Sequence, residues 1–260
     1  MSRAKHWLNK WLRNWVVWSL YDGSGYAVKD YADAGYKCYC FNYDGANHGD
    51  YEGVKIIHPN IEYVNVWIDS HFLVMFSPEL SVWPAPDIIL AFPPCDHLAV
   101  SGARWFASKR EKDPDFQVKA AYNAKLVETL ADMYHVPWMV ENPVGALSTL
   151  WRKPDFIFNP CAYGGYLPED DKHPAFPGVY PPRDAYTKKT CIWHGNKFVQ
   201  PLFRPVPLAG DDNPGWKKTG GKGARTKMIR SLTPRGFARA VFLANDRAIT
   251  RTTLNRVLPD

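Results

Sequence analysis

The sequence predicts an α/β fold with a doubly wound, mostly parallel sheet. Three observations carry this. Short apolar runs recur over residues 15–20, 37–42, 60–69, 87–92 and 135–140. Helical patterns alternate with them, which is the signature of strand–helix–strand units. The chain of 260 residues is long enough for a full core and holds no internal repeat and no apolar stretch of membrane-spanning length.

Taken in order, Trp7, Trp11, Trp15 and Trp18 lie at spacings of four, four and three, one stripe of a helix over residues 5–18 that reads as buried core. This runs into a strand over 15–20. Tyr21-Asp22-Gly23-Ser24-Gly25 follows as a turn, then a helical pattern through Ala34 with Gly35 as its stop. Residues 37–42, 60–69 and 87–92 give three more strands. Ala120, Ala124, Val127, Leu130 and Ala131 repeat near 3.6 and predict a helix over 119–134, followed by a strand over 135–140. From 150 to 213 prolines and aromatics crowd in, which predicts an irregular, loop-rich lobe. Residues 215–227 are rich in Gly and Lys. A last helix is predicted to about Asp246, with Thr233 as N-cap and Pro234 at the first helical position. The expected organisation is a core over 1–150, a small lobe facing a partner over 151–229, and a C-terminal helix over 230–260 returning to the core.

The net charge of +6 is uneven. From Lys217 onward there are eleven Lys and Arg against two Asp, so the preceding chain is net negative. A basic segment on such a body suggests a polyanion, although the same run serves equally as a solvated tail. Five cysteines, odd in number and scattered, fit thiol chemistry in a reducing cytoplasm better than a disulfide framework. The basic N-terminal segment lacks the apolar core and cleavage site of a signal peptide. Among Cys161, His173, Cys191 and His194, the Cys191–His194 pair has tolerable ligand spacing but the other spacings follow no common rule, and no metal is expected.

Two segments carry chemistry. Pro93-Pro94-Cys95 ends one apolar run, and Glu141-Asn142-Pro143 ends another 46 residues later. The prolines fix the backbone just before the thiol. Both motifs fall at carboxyl ends of predicted strands, where open α/β sheets bind ligands. A thiol there serves as nucleophile and a carboxylate as general acid. Gly23-Ser24-Gly25 allows close backbone approach by a ligand, or is simply a tight turn. The Asn42-Tyr43-Asp44 cluster offers an acidic group to ribose hydroxyls, or is a surface turn.

With these residues in view, the chain resembles the DNA (cytosine-5) methyltransferases. That family has a Gly-x-Gly turn, a Pro-Cys loop, a Glu-Asn-Val strand end, a Gln-x-Arg-x-Arg strand and a late Arg-x-Leu-Thr-Pro-Arg helix start. Here the corresponding segments are Gly23-Ser24-Gly25, Pro93-Pro94-Cys95, Glu141-Asn142-Pro143, Tyr186-Thr187-Lys188-Lys189-Thr190 and Arg230-Ser231-Leu232-Thr233-Pro234-Arg235, in the family's order. More narrowly, Ser101-Gly102-Ala103-Arg104-Trp105 and Phe158-Asn159-Pro160-Cys161 are similar to compact bacteriophage members.

The resemblance implies a Rossmann-like S-adenosylmethionine (SAM)-dependent methyltransferase fold and a bacterial cytoplasmic setting. It implies DNA as partner, with no membrane and no obligate protein partner. Cys95 would add to a flipped cytosine, Glu141 would protonate it, and Lys188 would position it. Tyr21, Gly23, Gly25, Tyr43, Asp44, Asp69 and Pro93 would line the SAM pocket. Ser101, Arg104, Lys217, Lys218, Lys222, Arg225, Lys227 and Arg230 would contact DNA. Two departures leave other readings open. Pro143 stands where the family has valine, and Lys188 and Thr190 replace its two arginines. An enzyme adding a different group to cytosine, or a non-catalytic DNA-binding decoy, is compatible with these changes.

Overall fold

The computed structural model describes residues 15–43, 52–209, 217–219 and 223–246. Trp7 and Trp11 of the tryptophan stripe, together with Asp44 and Lys222, lie outside them, while Trp18 lies on a strand rather than on the helix expected over 5–18. Seven strands form one sheet: β1 Val16–Leu20, β2 Lys37–Asn42, β3 Ile61–Asn65, β4 Ile88–Ala91, β5 Trp138–Pro143, β6 Phe156–Phe158 and β7 Thr190–Gly195. Their order is β3-β2-β1-β4-β5-β7-β6. The pairs among β1 to β5 are all parallel, and β7 runs antiparallel to both β5 and β6. This is a Rossmann-like sheet. The segment over 150–213 contributes β6 and β7 to it as well as loops.

The helices are α1 Lys29–Asp33, α2 Ser70–Met75, α3 Phe106–Lys112, α4 Phe116–Tyr134, α5 Leu147–Leu150, α6 Ala224–Ser231 and α7 Arg235–Asn245. Every residue of β1 is buried, as expected of a central strand covered on both faces. Alternate residues divide between two cores. Trp18, Leu20, Phe41, Ile89, Trp138 and Trp193 pack with Phe72 of α2 and with Ala124 and Val127 of α4. Val17, Cys38, Leu90, Met139 and Ile192 face the other way, against Tyr31 of α1 and Phe237 and Val241 of α7. The period-two alternation of the strands thus produces a three-layer sandwich. A third cluster joins Tyr26, Phe176, Tyr180 and Tyr186 to Met228 and Ile229 of α6.

Several boundaries moved for local reasons. Helix α4 begins at Phe116 rather than 119 and ends on His135, which takes a left-handed cap conformation at φ 54°. That cap removes His135 from the following strand, which starts at Trp138. Thr233 is not the cap of α7; Pro234 occupies that position with no side-chain hydrogen bond. The first-turn amide of Gly236 donates instead to the buried Asp184 Oδ2 at 2.9 Å. A remote carboxylate has replaced the local hydroxyl. Among the described residues, no helix is long and apolar enough to cross a membrane.

His173 is buried, 4% exposed, and stacks on Tyr180 with ring centroids 5.0 Å apart. Its Nδ1 accepts from the amides of Ala175 and Phe176 at 3.3 and 3.1 Å, which requires that nitrogen to be unprotonated. Burial, then the Arg235 guanidinium, lower its pKa from 6.5 to about 4, against the pull of Asp171. Between those values the unfolded chain holds a proton that the folded protein lacks. Stability therefore falls as pH drops through this window, by on the order of 3 kcal/mol from this group. Urea unfolding at pH 6.5, 5 and 4 should show a steeper decline for the native chain than for His173→Gln.

Candidate active site

The site lies at the carboxyl ends of β4 and β5, which are parallel neighbours. Pro93-Pro94-Cys95 leaves β4 while Glu141 and Asn142 are still within β5. Three hydrogen bonds hold these segments together. The Asn142 side chain, 1% exposed, donates through Nδ2 to the Pro93 carbonyl at 2.9 Å. Further along, Ala146 N donates to the Leu98 carbonyl at 2.8 Å and Val100 N to the Val144 carbonyl at 3.2 Å. Leu98 and Ala99 amides turn back onto the Cys95 carbonyl, both at 2.9 Å. The thiol thus sits on a short turn clamped to the loop that follows Glu141.

Gly145 makes the clamp possible. A Cβ there would run into the Leu98 carbonyl group, with the Leu98 carbon at 2.8 Å and the Ala99 Cα at 3.0 Å. Backbone cannot step aside as a flexible side chain can. Gly145→Ala should cost about 1–3 kcal/mol through overpacking. It should also displace the Cys95 turn, so its melting temperature and its thiol alkylation rate should change together.

The structure brings Cys95, Glu141 and Lys188 into one electrostatic group. Burial pushes the Cys95 thiol up to about 11, helped by the Glu141 and Asp96 carboxylates and opposed by Lys188. Burial also raises Glu141, and Lys188 again opposes it. Lys188 enters just before β7, which pairs with β5 so that Glu141 faces Ile192. Its backbone amide donates to Asn159 Oδ1 at 3.1 Å, and its Nζ donates to the Arg230 carbonyl at 3.1 Å. A carboxyl whose proton is favoured by burial, a thiol and a lysine at one site can deliver a proton to a substrate while a nucleophile adds to it. All five cysteines are unpaired as disulfides.

At the ends of β1 to β3 the glycine turn is internally bonded. Asp22 Oδ1 accepts from the amides of Ser24 and Gly25 at 3.0 and 2.8 Å, while Ser19 Oγ donates to its Oδ2 at 2.9 Å. The Ser24 and Gly25 amides are therefore not offered to an anion at a helix start, and α1 begins only at Lys29. Gly25 sits at φ +76°, where a Cβ would strike the Tyr63 hydroxyl. Its glycine character is set by that contact. Tyr21 is half-buried, and burial, then Asp69, raise its pKa. Asp69 caps α2 by accepting from the amides of His71 and Phe72 at 2.8 and 3.1 Å. Tyr43 is exposed and forms an edge-to-face pair with the exposed Trp67, centroids 5.0 Å apart.

Of the residues singled out in the sequence for DNA contact, Ser101, Arg104, Lys217, Lys218, Arg225 and Lys227 are exposed. Arg230 differs: its guanidinium donates to the Thr219 carbonyl at 2.9 Å while its own carbonyl receives Lys188. It is a joint between the basic segment and the pocket.

Sequence reasoning assigned no role to Asp22, Trp67 or Gly145, and quoted Asn142 only as part of a motif. Nor did it single out the pairing of Arg235 with Asp171, two hydrogen bonds of 2.6 Å that fasten the lobe to α7. Trp67, two residues before Asp69, was the one legible signal. Asp22 bonds mainly within three residues of itself, while the others depend on partners more than 20 residues away or on main-chain crowding. Among the described residues, no group of three or more His, Cys, Asp or Glu is placed to hold a metal ion.

Comparisons with known proteins add little to this geometry. No family model matches the chain, and no curated protein does. A solved E. coli structure described as a "putative DNA modification methyltransferase encoded within prophage" is similar with TM-score 0.39 and 13% identity. The match covers 74% of this chain and 53% of that one, so this chain spans about half the length of that structure's chain. A likeness at that level carries no functional argument.

Proposed function

We propose that this protein is a SAM-dependent DNA cytosine-5 methyltransferase that works through a covalent Cys95–cytosine adduct. The observation that carries the reading is the pairing of Cys95 and Glu141 at adjacent parallel strand ends, with the charge of Lys188 acting on both. The glycine turn also favours SAM over a dinucleotide. A carboxylate lying under the turn and consuming its amides suits a cationic ligand, not a pyrophosphate. The exposed Tyr43–Trp67 pair offers ring faces of the kind an adenine packs against. Tyr21, Gly23, Gly25 and Asp69 would complete that pocket.

In this mechanism the Cys95 thiol gives its proton to solvent, and the sulfur bonds to carbon 6 of the cytosine as the carbon 5–carbon 6 double bond opens. The raised pKa of Glu141 keeps a proton available for ring nitrogen 3, so negative charge does not accumulate on the ring. A neutral Glu141 also ceases to oppose the thiolate, which couples acid and nucleophile. Lys188 supplies a cation that favours ionisation of both groups. SAM, when bound, supplies the methyl group that carbon 5 acquires. Water then takes the carbon 5 proton, the carbon 6–sulfur bond breaks to release the Cys95 thiolate, and the proton on ring nitrogen 3 returns to Glu141, which restores the ring. Splitting one difficult substitution into addition and elimination is the contribution of the covalent adduct.

The test is mass spectrometry of nucleosides from DNA incubated with the protein and SAM. 5-Methylcytosine supports the reading. A different cytosine adduct would replace it with transfer of another group, and unmodified DNA with the decoy. The basic residues give an independent check. Neutralising Lys217, Lys218, Arg225 and Lys227 together should flatten the salt dependence of duplex binding by about 0.9 in log–log slope per lost phosphate contact. An unchanged slope would return the segment to a solvated surface.

A further inference from the structure

The last turn of α6 ends where the Lys188 ammonium rests. A helix leaves its final carbonyls without partners of its own. Here three of them take side-chain donors. Ser231 Oγ donates to the Met228 carbonyl at 2.9 Å, the Tyr180 hydroxyl to the Ile229 carbonyl at 2.6 Å, and Lys188 Nζ to the Arg230 carbonyl at 3.1 Å. Met228, Ile229 and Leu232 seat this turn in one buried cluster with Phe176, Tyr180 and Tyr186. It offers Lys188 a fixed acceptor at the negative end of a helix dipole.

The main chain of Lys188 is pinned on both sides. Its amide donates to Asn159 Oδ1 at 3.1 Å, and its carbonyl accepts from Thr190 Oγ1 at 2.9 Å. The four-carbon stem beyond is flexible, and the residue is half-buried. The bond at its tip therefore fixes where the charge lies. Arg230 secures the turn that offers this bond, because its guanidinium reaches back to the Thr219 carbonyl at 2.9 Å. Thr219 is buried, and the exposed Lys217 and Lys218 directly precede it. The side chain of Arg230 thus holds the basic segment while its carbonyl holds Lys188.

That charge acts on the thiol. After burial, Cys95 responds to the Glu141 and Asp96 carboxylates, which raise its pKa, and to Lys188, which lowers it. Lys109 of α3 also reaches this turn, its Nζ donating to the Asp96 carbonyl at 2.7 Å.

We propose that Arg230 is a positioning residue, which locks the last turn of α6 to the basic segment and so holds the Lys188 ammonium at the Cys95–Glu141 site. The inference rests on Cys95 and Glu141 being the reacting pair of the function proposed above. Arg230 acts through Lys188, not on the reacting atoms.

The experiment follows alkylation of Cys95 by iodoacetamide against pH, in the full chain without DNA, with peptide mapping to read that residue. Arg230→Gln should shift the profile to higher pH. Cys95 should then react roughly threefold more slowly at a given pH below the midpoint, as a rise of about half a pKa unit requires. Arg230→Lys, which can still donate to the Thr219 carbonyl, should recover most of the rate. Tyr180→Phe loosens the same turn without removing a cation and should shift the profile the same way. It decides the question if Arg230→Gln does not fold. Either shift should vanish in a Lys188→Gln background, because the paired substitutions then remove one interaction, not two. Additive losses, no shift, or a shift to lower pH would overturn the positioning role. Methyl transfer is read separately. A shifted profile from a protein that makes no 5-methylcytosine would sustain the positioning role and overturn methyl transfer. 5-Methylcytosine with an unshifted profile would do the reverse.

Discussion

Cys95→Ser should lower methyl transfer to DNA by at least about 1,000-fold while leaving the fold intact. The turn that carries residue 95 is held by main-chain bonds and by the Asn142 side chain, none of which involve the sulfur. A hydroxyl is smaller and far less nucleophilic, so packing survives and addition to carbon 6 does not. Duplex DNA containing 5-fluorocytosine extends the test. Fluorine cannot leave carbon 5 as a proton does, so the enzyme that adds to that ring is trapped on it. The wild-type protein with SAM should form a stable adduct, and peptide mapping should place it on Cys95. An adduct that persists in Cys95→Ser would assign the nucleophile elsewhere, with Cys161 the partly exposed alternative.

Glu141→Gln should act in two opposite directions. Methyl transfer should slow by about 100- to 10,000-fold, because the ring loses the acid that neutralises it during attack. In the protein without DNA, Cys95 should become more reactive. After burial, the Glu141 carboxylate is the largest influence holding the thiol near 11. With the pKa so high, little thiolate exists at neutral pH, and alkylation should climb about tenfold per pH unit through the alkaline range. Removing the anion lowers that pKa, so the Glu141→Gln profile should shift to lower pH. A variant slower in both assays would mean that Glu141 supports the fold. A variant unchanged in both would remove it from the site. Lys188→Gln should move alkylation the other way, since its charge lowers the Cys95 pKa.

What could be read in the chain and what could not divide along physical lines. Apolar runs such as Val16–Leu20 and Ile88–Ala91 announce buried parallel strands, because a strand covered on both faces needs no polar residues. The period of residues 120–131 announces α4 in the same way. Glycine and proline punctuation places Gly35 after α1 and Cys95 after β4, since their backbone limits are local. The sequence by itself therefore determined the strand–helix alternation and which strand ends carry a thiol and a carboxylate. It did not determine that the chain over 150–213 returns two strands to the sheet. β6 has only three residues, Phe156–Phe158, and its pairing depends on β7, more than 30 residues away. Nor did it reveal the Asn142–Pro93 bond or the crowding at Gly145. The Asp184 carboxylate that displaces Thr233 as the cap of α7 belongs to the same class. Tertiary structure decided these because each depends on where a second segment lies in space. The pKa values of Cys95 and Glu141 were decided there too, by burial and by the charges that the folded chain sets around them.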